Sequence, residues 1–455
     1  MNVERAITFV DTIVFANTGK HLSTLQTSIF RGSWSGRKYE EMAREYHCCE
    51  QHVKRVGASL WELLSQSLAE KVTKKTMRAI IEREIEFSEY SKQTKNLEQN
   101  NPLVREENQS LGSIESELPQ GPIEVGSKFY IPREPIESEC YREILKPGAL
   151  ITIKAPEAMG KTSLMARIID RATQQGYDTV SLNFQLADRN FFGDLDLFLK
   201  WFCLSVGDRL QLSDRLERYW KDIYGIKRRC HNYFEKYILK EVDRPVLVAI
   251  DEVDRIFSHP VADDFFSLLR VWHEQAKSDR QDGVWQKLRL VLSHSTEAYL
   301  ISDINQSPFN VGLALDLPVF TAEKVEKLSR RHGLSLDRLE IERLMTMVGG
   351  HPYLLQIAFY NLARKKMPLS QFLQVAPTLT GPYSSHLRRI SRSLAAQPKL
   401  MAAFKLILEQ NTGVHLNGLE KFKLYSMGLL SLDDNRVNWF CALYRQYFDK
   451  NRNFA

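Results

Sequence analysis

No apolar run in this chain approaches membrane-spanning length. The longest aliphatic stretch beside a predicted strand, Val246 to Ile250, is far short of the roughly 20 residues that a spanning helix needs, which excludes a transmembrane helix. The N-terminus, MNVERAITFVDTIVF, carries Glu4 and Asp11 inside its apolar pattern and has no small-residue cleavage site, so a signal peptide is not expected and a cytoplasmic location is. Cysteine is scarce. The six, Cys48, Cys49, Cys140, Cys203, Cys230 and Cys441, form no C-x-x-C pair and have no histidine at zinc-finger spacing, which argues for reduced thiols in place of a disulfide or zinc framework. Neither sign of charge dominates: 62 Lys and Arg stand against 56 Asp and Glu, a net +6 that permits a nucleic-acid partner without requiring one. Short-period repeats, coiled-coil heptads and propeller-blade signatures are also missing.

What is present is the composition of a globular protein. Hydrophobic residues make 43% and charged residues 26%, which excludes collagen-like, fibrous and wholly disordered classes. A length of 455 residues, at roughly 100–200 per domain, predicts two to four domains. Residues 1–90 are rich in helix formers, and Tyr39 to Leu64 shows helical apolar spacing interrupted near His47–Cys49, which predicts two helices joined by a short turn. Ser91 to Pro122 is rich in Asn, Gln, Ser and Glu, so residues 91–125 read as a linker.

From Phe129 onward the texture changes. Short β-rich runs (Ala149–Lys154, Thr179–Leu182, Val246–Ile250, Leu288–Ser293, Ala314–Val319) alternate with helical patterns, the signature of a parallel sheet with crossover helices over residues 126–320. After Phe320 the β runs stop. Residues 321–380 read as helices, opened by Thr321 as cap and Glu323 in the first turn. Residues 381–455 are helical until LLSLDDNRVNWF, where two short runs flank Asp433-Asp434-Asn435, a hairpin signal that predicts a winged helix.

The most specific local signal is ALITIKAPEAMGKTSLMARII. A β run enters the loop Pro156, Glu157, Ala158, Met159, Gly160, Lys161, Thr162, Ser163, and an amphipathic helix starts near Ser163. Backbone N–H groups of such a loop and the positive helix end cradle phosphates, Lys161 reaches the β- and γ-phosphates, and the Thr162 hydroxyl ligates Mg2+. One departure is that the first glycine of the G-x-x-x-x-G-K-[ST] pattern is Ala155, a residue that restricts the backbone at the strand exit. Downstream, Val246 to Ile250 runs into Asp251-Glu252-Val253-Asp254. A buried strand of this kind delivers Asp251 to the metal and leaves Glu252 to polarise an attacking water. The run Leu288 to Ser293 ends in a polar cluster, and in P-loop ATPases with an extra strand between the two Walker strands its Ser293 is the candidate sensor of the γ-phosphate; a solvated strand end reads equally well.

With these segments in view, residues 125–380 resemble the AAA-like ATPases common in cyanobacteria, relatives of STAND-type regulatory NTPases and of origin-recognition ATPases. The resemblance is carried by Phe129-Tyr-Ile-Pro-Arg133, Pro147-Gly148-Ala149, Gly160-Lys-Thr-Ser-Leu164, Asp251-Glu-Val-Asp254, Pro308-Phe-Asn310 with Gly312, and Gly349-Gly-His-Pro-Tyr353. It implies ATP or GTP with Mg2+, a helical lid, and His351-Pro352 near the nucleotide. Gly349-Gly350 can end one helix and Pro352 can start the next, leaving His351 at a positive helix start. Such folds also set an arginine from a neighbouring subunit or domain against the γ-phosphate, implying a nucleotide-dependent oligomer; Arg270 is the first candidate, with Arg255 and Arg280 as others.

Ile29 to Glu82 resembles the helix-turn-helix domain at the head of vWA-MoxR-associated conflict proteins, through Phe30-Arg-Gly-Ser-Trp34, Tyr39-Glu-Glu-Met-Ala43, His52-Val-Lys-Arg55, Leu60-Trp61 and Lys71-Val-Thr-Lys-Lys75. Between residues 31 and 80, ten Lys or Arg face six Glu. If residues 50–64 form a recognition helix, Gln51, Lys54 and Arg55 occupy its early turns and can meet duplex DNA; a protein-docking module fits as well. Trp34, Leu60 and Trp61 are expected in its core. The expectation for the whole is an ATPase switch in a bacterial signalling or defence system, with a protein partner and no membrane. The alternatives are an ATPase that oligomerises on duplex DNA and a nucleotide-binding scaffold without turnover.

Overall fold

The structure is a computed structural model that describes residues 3–18, 22–45, 49–68, 72–78, 80–82, 121–278, 283–295, 308–410, 418–433 and 436–451. The chain divides into two compact units, residues 1–113 and 114–455. Residues 91–120 of the predicted linker, Arg280, and the hairpin residues Asp434 and Asn435 lie outside the described residues.

In the first unit α1 (Val3–Thr18), α2 (Thr24–Trp34), α3 (Tyr39–Glu45) and α4 (Glu50–Leu68) pack around Phe30, Met42, Val53, Leu60 and Leu64. Ser23 and Gln26 form a reciprocal capping box that starts α2. Trp34 and Trp61 join the core as expected, and Trp61 Nε1 donates to Tyr39 Oη at 2.9 Å.

The second unit opens with α5 (Ile136–Glu143) and is built on a parallel sheet of β1 (Leu150–Lys154), β2 (Asp178–Asn183), β3 (Val246–Asp251), β4 (Leu288–His294) and β5 (Leu313–Asp316). The order across the sheet is β2-β3-β4-β1-β5, so β4 is the extra strand between β1 and β3. Every residue of β3 and β4 is buried, which is why both read as continuous apolar runs. The fifth run ends earlier than its composition suggests: pairing stops at Asp316, and Pro318 has no N–H to extend the ladder.

The amphipathic helix α6 (Lys161–Gln174) follows β1 directly. Between β2 and β3 a long crossover carries α7 (Leu195–Arg209), the short α8 (Leu216–Tyr219) and α9 (Ile226–Tyr233), which continues as a π turn over Phe234–Ile238. With α10 (Ala262–Ser278) these helices bury Phe184, Phe198, Phe202, Phe234, Phe265 and Trp272 against one face of the sheet. Cys203 and Cys230 meet in this core with sulfurs 3.5 Å apart, both as free thiols.

After Phe320 come α11 (Ala322–Arg331), α12 (Arg338–Val348), α13 (Pro352–Arg364) and α14 (Leu369–Val375), with Thr321 capping α11 and an Asp337–Glu340 capping box starting α12. The C-terminal part is α15 (Ser384–Ala395), α16 (Pro398–Gln410), α17 (Gly418–Ser426), the antiparallel β6 (Leu430–Asp433) and β7 (Arg436–Trp439), and α18 (Ala442–Lys450), a winged-helix arrangement. One hydrophobic core runs through both parts, from Phe320 to Phe448.

Candidate nucleotide-binding site

The loop after β1 has the backbone that phosphate cradles require. Gly160 caps α6 at φ +94°, and a Cβ there would lie 3.2 Å from Arg133 Nη2. Ala155 is not among the residues with left-handed φ; it is buried and its N–H donates to His294 O at 3.4 Å, so the missing first glycine falls where the backbone does not ask for one. The strained alanine is Ala158, at φ +58°.

Lys161 is buried, and its Nζ donates to the loop's own carbonyls, Ala155 O at 2.8 Å and Pro156 O at 2.9 Å. Burial pulls its ammonium below the usual lysine range, while Asp254, Asp251, Glu157 and Glu252 oppose that. Across the sheet, Thr162 Oγ1 donates to Asp251 Oδ2 at 2.7 Å. The other Asp251 oxygen accepts from Glu252 N at 3.0 Å and from Ser293 Oγ. Two hard oxygens on adjacent elements, with no cluster of three metal-ligating side chains among the described residues, suit an ion that takes its remaining ligands from phosphate and water, as Mg2+ does. Ser293, fully buried, is engaged with the strand aspartate.

Glu252 stands in the left-handed region at φ 56°, ψ 43°. Its Oε1 accepts from Gln185 Nε2, and its Oε2 accepts from Arg255 Nε at 3.3 Å. Gln185 is set by a turn at the carboxyl end of β2, where its N–H donates to Asn183 Oδ1 at 2.7 Å and Asn183 pairs in register with Asp251. Beyond Glu252, Asp254 Oδ2 accepts the Ser295 N–H at 3.2 Å. Sequence reasoning missed Gln185; its only signal is a polar residue just past the end of the strand beside β3.

In the sequence Arg133 stands out only as the end of the segment Phe129-Tyr-Ile-Pro-Arg133. It is 3% exposed, donates Nη1 to Pro318 O at 2.6 Å and Nη2 to Met159 O, and its guanidinium lies 4.9 Å from the Phe320 ring centre. Burial lowers it to about 10. Glu137 holds the segment by accepting from Tyr130 Oη and Arg133 N, both at 2.6 Å.

His351 caps α13 and is 1% exposed, with Pro352 as the first helical residue. Burial, with the charges of His386, Arg133 and Lys161 nearby, depresses its imidazole to about 3, while a hydrogen bond with the Glu157 backbone pulls the other way. Glu157 is contacted from the C-terminal helices as well: its N–H donates to Ser426 O at 3.3 Å, and its Oε2 lies 3.6 Å from Arg389 Nη2 on α15. A Cβ on Gly428 would touch Pro156 Cβ at 3.5 Å. The loop thus meets the winged helix directly. Arg270 stands on α10 with its Nε 2.8 Å from Glu274 Oε1, one turn along its own helix, and Arg255 is the arginine joined to Glu252. On the first unit, Gln51, Lys54 and Arg55 are exposed on α4, with Lys54 paired to Glu50 at 2.7 Å and Arg55 3.2 Å from His52 Nδ1.

A five-stranded parallel sheet in this order, with Gly160-Lys161-Thr162 after β1, the strand between β4 and β5, and Asp251-Glu252 at the end of β3, defines an AAA-type P-loop NTPase fold. The chain belongs to the AAA-like domain family, whose pattern matches residues 118–450, and residues 1–84 match the N-terminal helix-turn-helix of vWA-MoxR associated proteins. It is similar to a WD repeat-containing protein of Synechocystis sp., 27% identical over 235 residues that make up 48% of this chain and 19% of that protein. The chain therefore spans well under two thirds of that relative. Among solved structures, a Walker-type ATPase of Pyrococcus abyssi aligns with 70% of this chain and 99% of its own at TM-score 0.49 and 12% identity. Cdc6p from Pyrobaculum aerophilum aligns with 73% and 99% at TM-score 0.37 and 10% identity. No helix among the described residues is long and apolar enough to cross a membrane.

Proposed function

We propose that this chain is a nucleotide-gated regulatory switch that binds ATP or GTP with Mg2+ and hydrolyses it. The observation that carries the reading is the double engagement of the phosphate loop at Glu157, by Ser426 from α17 and by Arg389 from α15. A nucleotide in the loop would act on both at once, and so on the posture of the winged helix and of the lid that shares its core. Lys161 would exchange two carbonyls for phosphate oxygens, a better partner for a buried ammonium. Thr162 and Asp251 would hold the ion, with Ser293 orienting the aspartate; when bound, the ion neutralises charge on the phosphates. Glu252 would orient the attacking water once Gln185 and Arg255 release it. A cytoplasmic signalling or defence setting with a protein partner is the reading that goes with the match of residues 1–84 to the N-terminal helix-turn-helix of vWA-MoxR associated proteins.

Lys161→Ala should abolish binding of a fluorescent ATP analogue, while Glu252→Gln should keep binding and slow phosphate release by about a hundredfold or more. Tight binding by the lysine variant would overturn the site. Tight binding by the native chain with no phosphate release would leave a scaffold without turnover. A second reading, assembly on duplex DNA, is supported by the exposed Gln51, Lys54 and Arg55 on α4. It requires affinity for DNA that falls steeply between roughly 50 and 200 mM salt, together with larger particles in light scattering.

A further inference from the structure

Residues 215–229, RLERYWKDIYGIKRR, contain six Lys or Arg against Glu217 and Asp222, a local excess of four in a chain whose total is +6. They belong to the crossover between β2 and β3, away from the P-loop and from α4 in sequence. At their centre Ile223 is 85% exposed and Tyr224 41% exposed. Exposed apolar side chains on a loose loop call for no explanation, but this turn is braced. Arg229, with only 15% of its side chain exposed, donates Nε to Tyr224 O at 2.7 Å and Nη2 to Asp222 O at 3.1 Å, and its Nη1 lies 3.1 Å from Asp222 Oδ1. Tyr224 N donates to Lys221 O at 3.1 Å to close the turn, and Trp220 Nε1 donates to Asp196 Oδ1 at 2.8 Å to tie down its base. The tip is ordered before any partner arrives, which lowers the entropic cost of contact.

We propose that this Arg229-braced tip is a contact for duplex DNA, in which Ile223 and Tyr224 press against a base step in the minor groove while the exposed Lys221 and Arg228 meet the adjacent phosphates. Apolar wedges flanked by cations are how minor-groove proteins unstack and bend DNA. A lipid surface fits less well. Two side chains bury less apolar area than a single acyl chain, which itself holds a protein to a membrane only reversibly. A single wedge, by contrast, suffices to open one base step. The contact does not depend on the nucleotide reading above.

The test uses the full chain, a fluorescein-labelled duplex of about 30 base pairs followed by anisotropy at several salt concentrations, and energy transfer between dyes on the duplex ends. Ile223→Ser with Tyr224→Ser should weaken binding about fivefold or more and remove the bend-dependent rise in transfer, with the salt slope unchanged. Lys221→Gln with Arg228→Gln should reduce the salt slope by about two. Lys54→Gln with Arg55→Gln on α4 should leave the transfer signal intact. Thermal unfolding and nucleotide-analogue binding equal to the native chain certify the fold of each variant; Ile223→Ala stands in for the double wedge variant where that one fails. Unchanged affinity and transfer in the wedge variants, no duplex binding by the native chain at low salt, or wedge-dependent binding to phosphatidylserine vesicles with duplex binding unaffected, would each overturn the proposal.

Discussion

Two alanines in one loop carry opposite meanings. Ala155 occupies the place of the pattern's first glycine with an ordinary backbone, whereas Ala158 holds φ +58°, a region where a Cβ crowds its own carbonyl. Ala158→Gly should therefore stabilise the second unit by about 1 kcal/mol, read as a shift in urea midpoint at constant slope. Gln185 invites the reverse experiment. Its amide occupies Glu252 Oε1, so Gln185→Ala should free the carboxylate and raise basal phosphate release by up to about tenfold, the effect of one hydrogen bond to a charged group, with nucleotide affinity unchanged. The positions of Lys161, Thr162, Asp251 and Glu252 were legible because each is announced by its immediate neighbours. Those of Gln185 and Arg133 were not, because their partners are 67 and 26 residues away in sequence and met only through folding.

At the level of elements, each of the five apolar runs became a strand, and the Gly349-Gly350-His351-Pro352 punctuation separates α12 from α13 as its residue types suggested. The end of β5 is not legible from composition, because apolarity continues to Val319 while strand pairing does not. The π turn in α9 left no trace in the composition. Where β5 starts is set by Gly312, at φ +73° with a would-be Cβ only 2.3 Å from Leu150 O. Because that clash is with backbone, Gly312→Ala has no rotamer escape. The expected loss is about 3 kcal/mol or more, measured by equilibrium unfolding, and Arg133 should loosen with it, since its Pro318 contact follows β5.

For the second unit as a whole, buried imidazoles shape the response to acid: burial lowers His231 and His273, and lowers three others further. His332 is depressed to about 4, His351 to about 3 and His386 to about 4, each chiefly by burial. The cations facing them, Lys128 at His332, Arg133 and Lys161 at His351, and Arg389 at His386, act in the same direction. A folded value below the unfolded 6.5 means that the unfolded chain takes up protons first. The stability these groups contribute is therefore complete above 6.5 and declines as pH falls toward 4, by at most about 1.4 kcal/mol per unit for each histidine. Urea midpoints taken from pH 7.5 down to about 5 should fall, and His386→Gln, which keeps a hydrogen-bonding partner for Tyr444, should flatten the curve.

The contact of Ser426 and Gly428 with the phosphate loop also bears on how this protein can be recombined. Pro156 and Glu157 come from the loop after the second unit's first strand, their partners from its final helix-to-hairpin turn. A hybrid that grafts residues 381–451 of one relative onto the core of another would join a loop and a turn that had not changed together. Viable exchanges in this family should accordingly carry the two segments as one inheritance, however far apart they are in the gene.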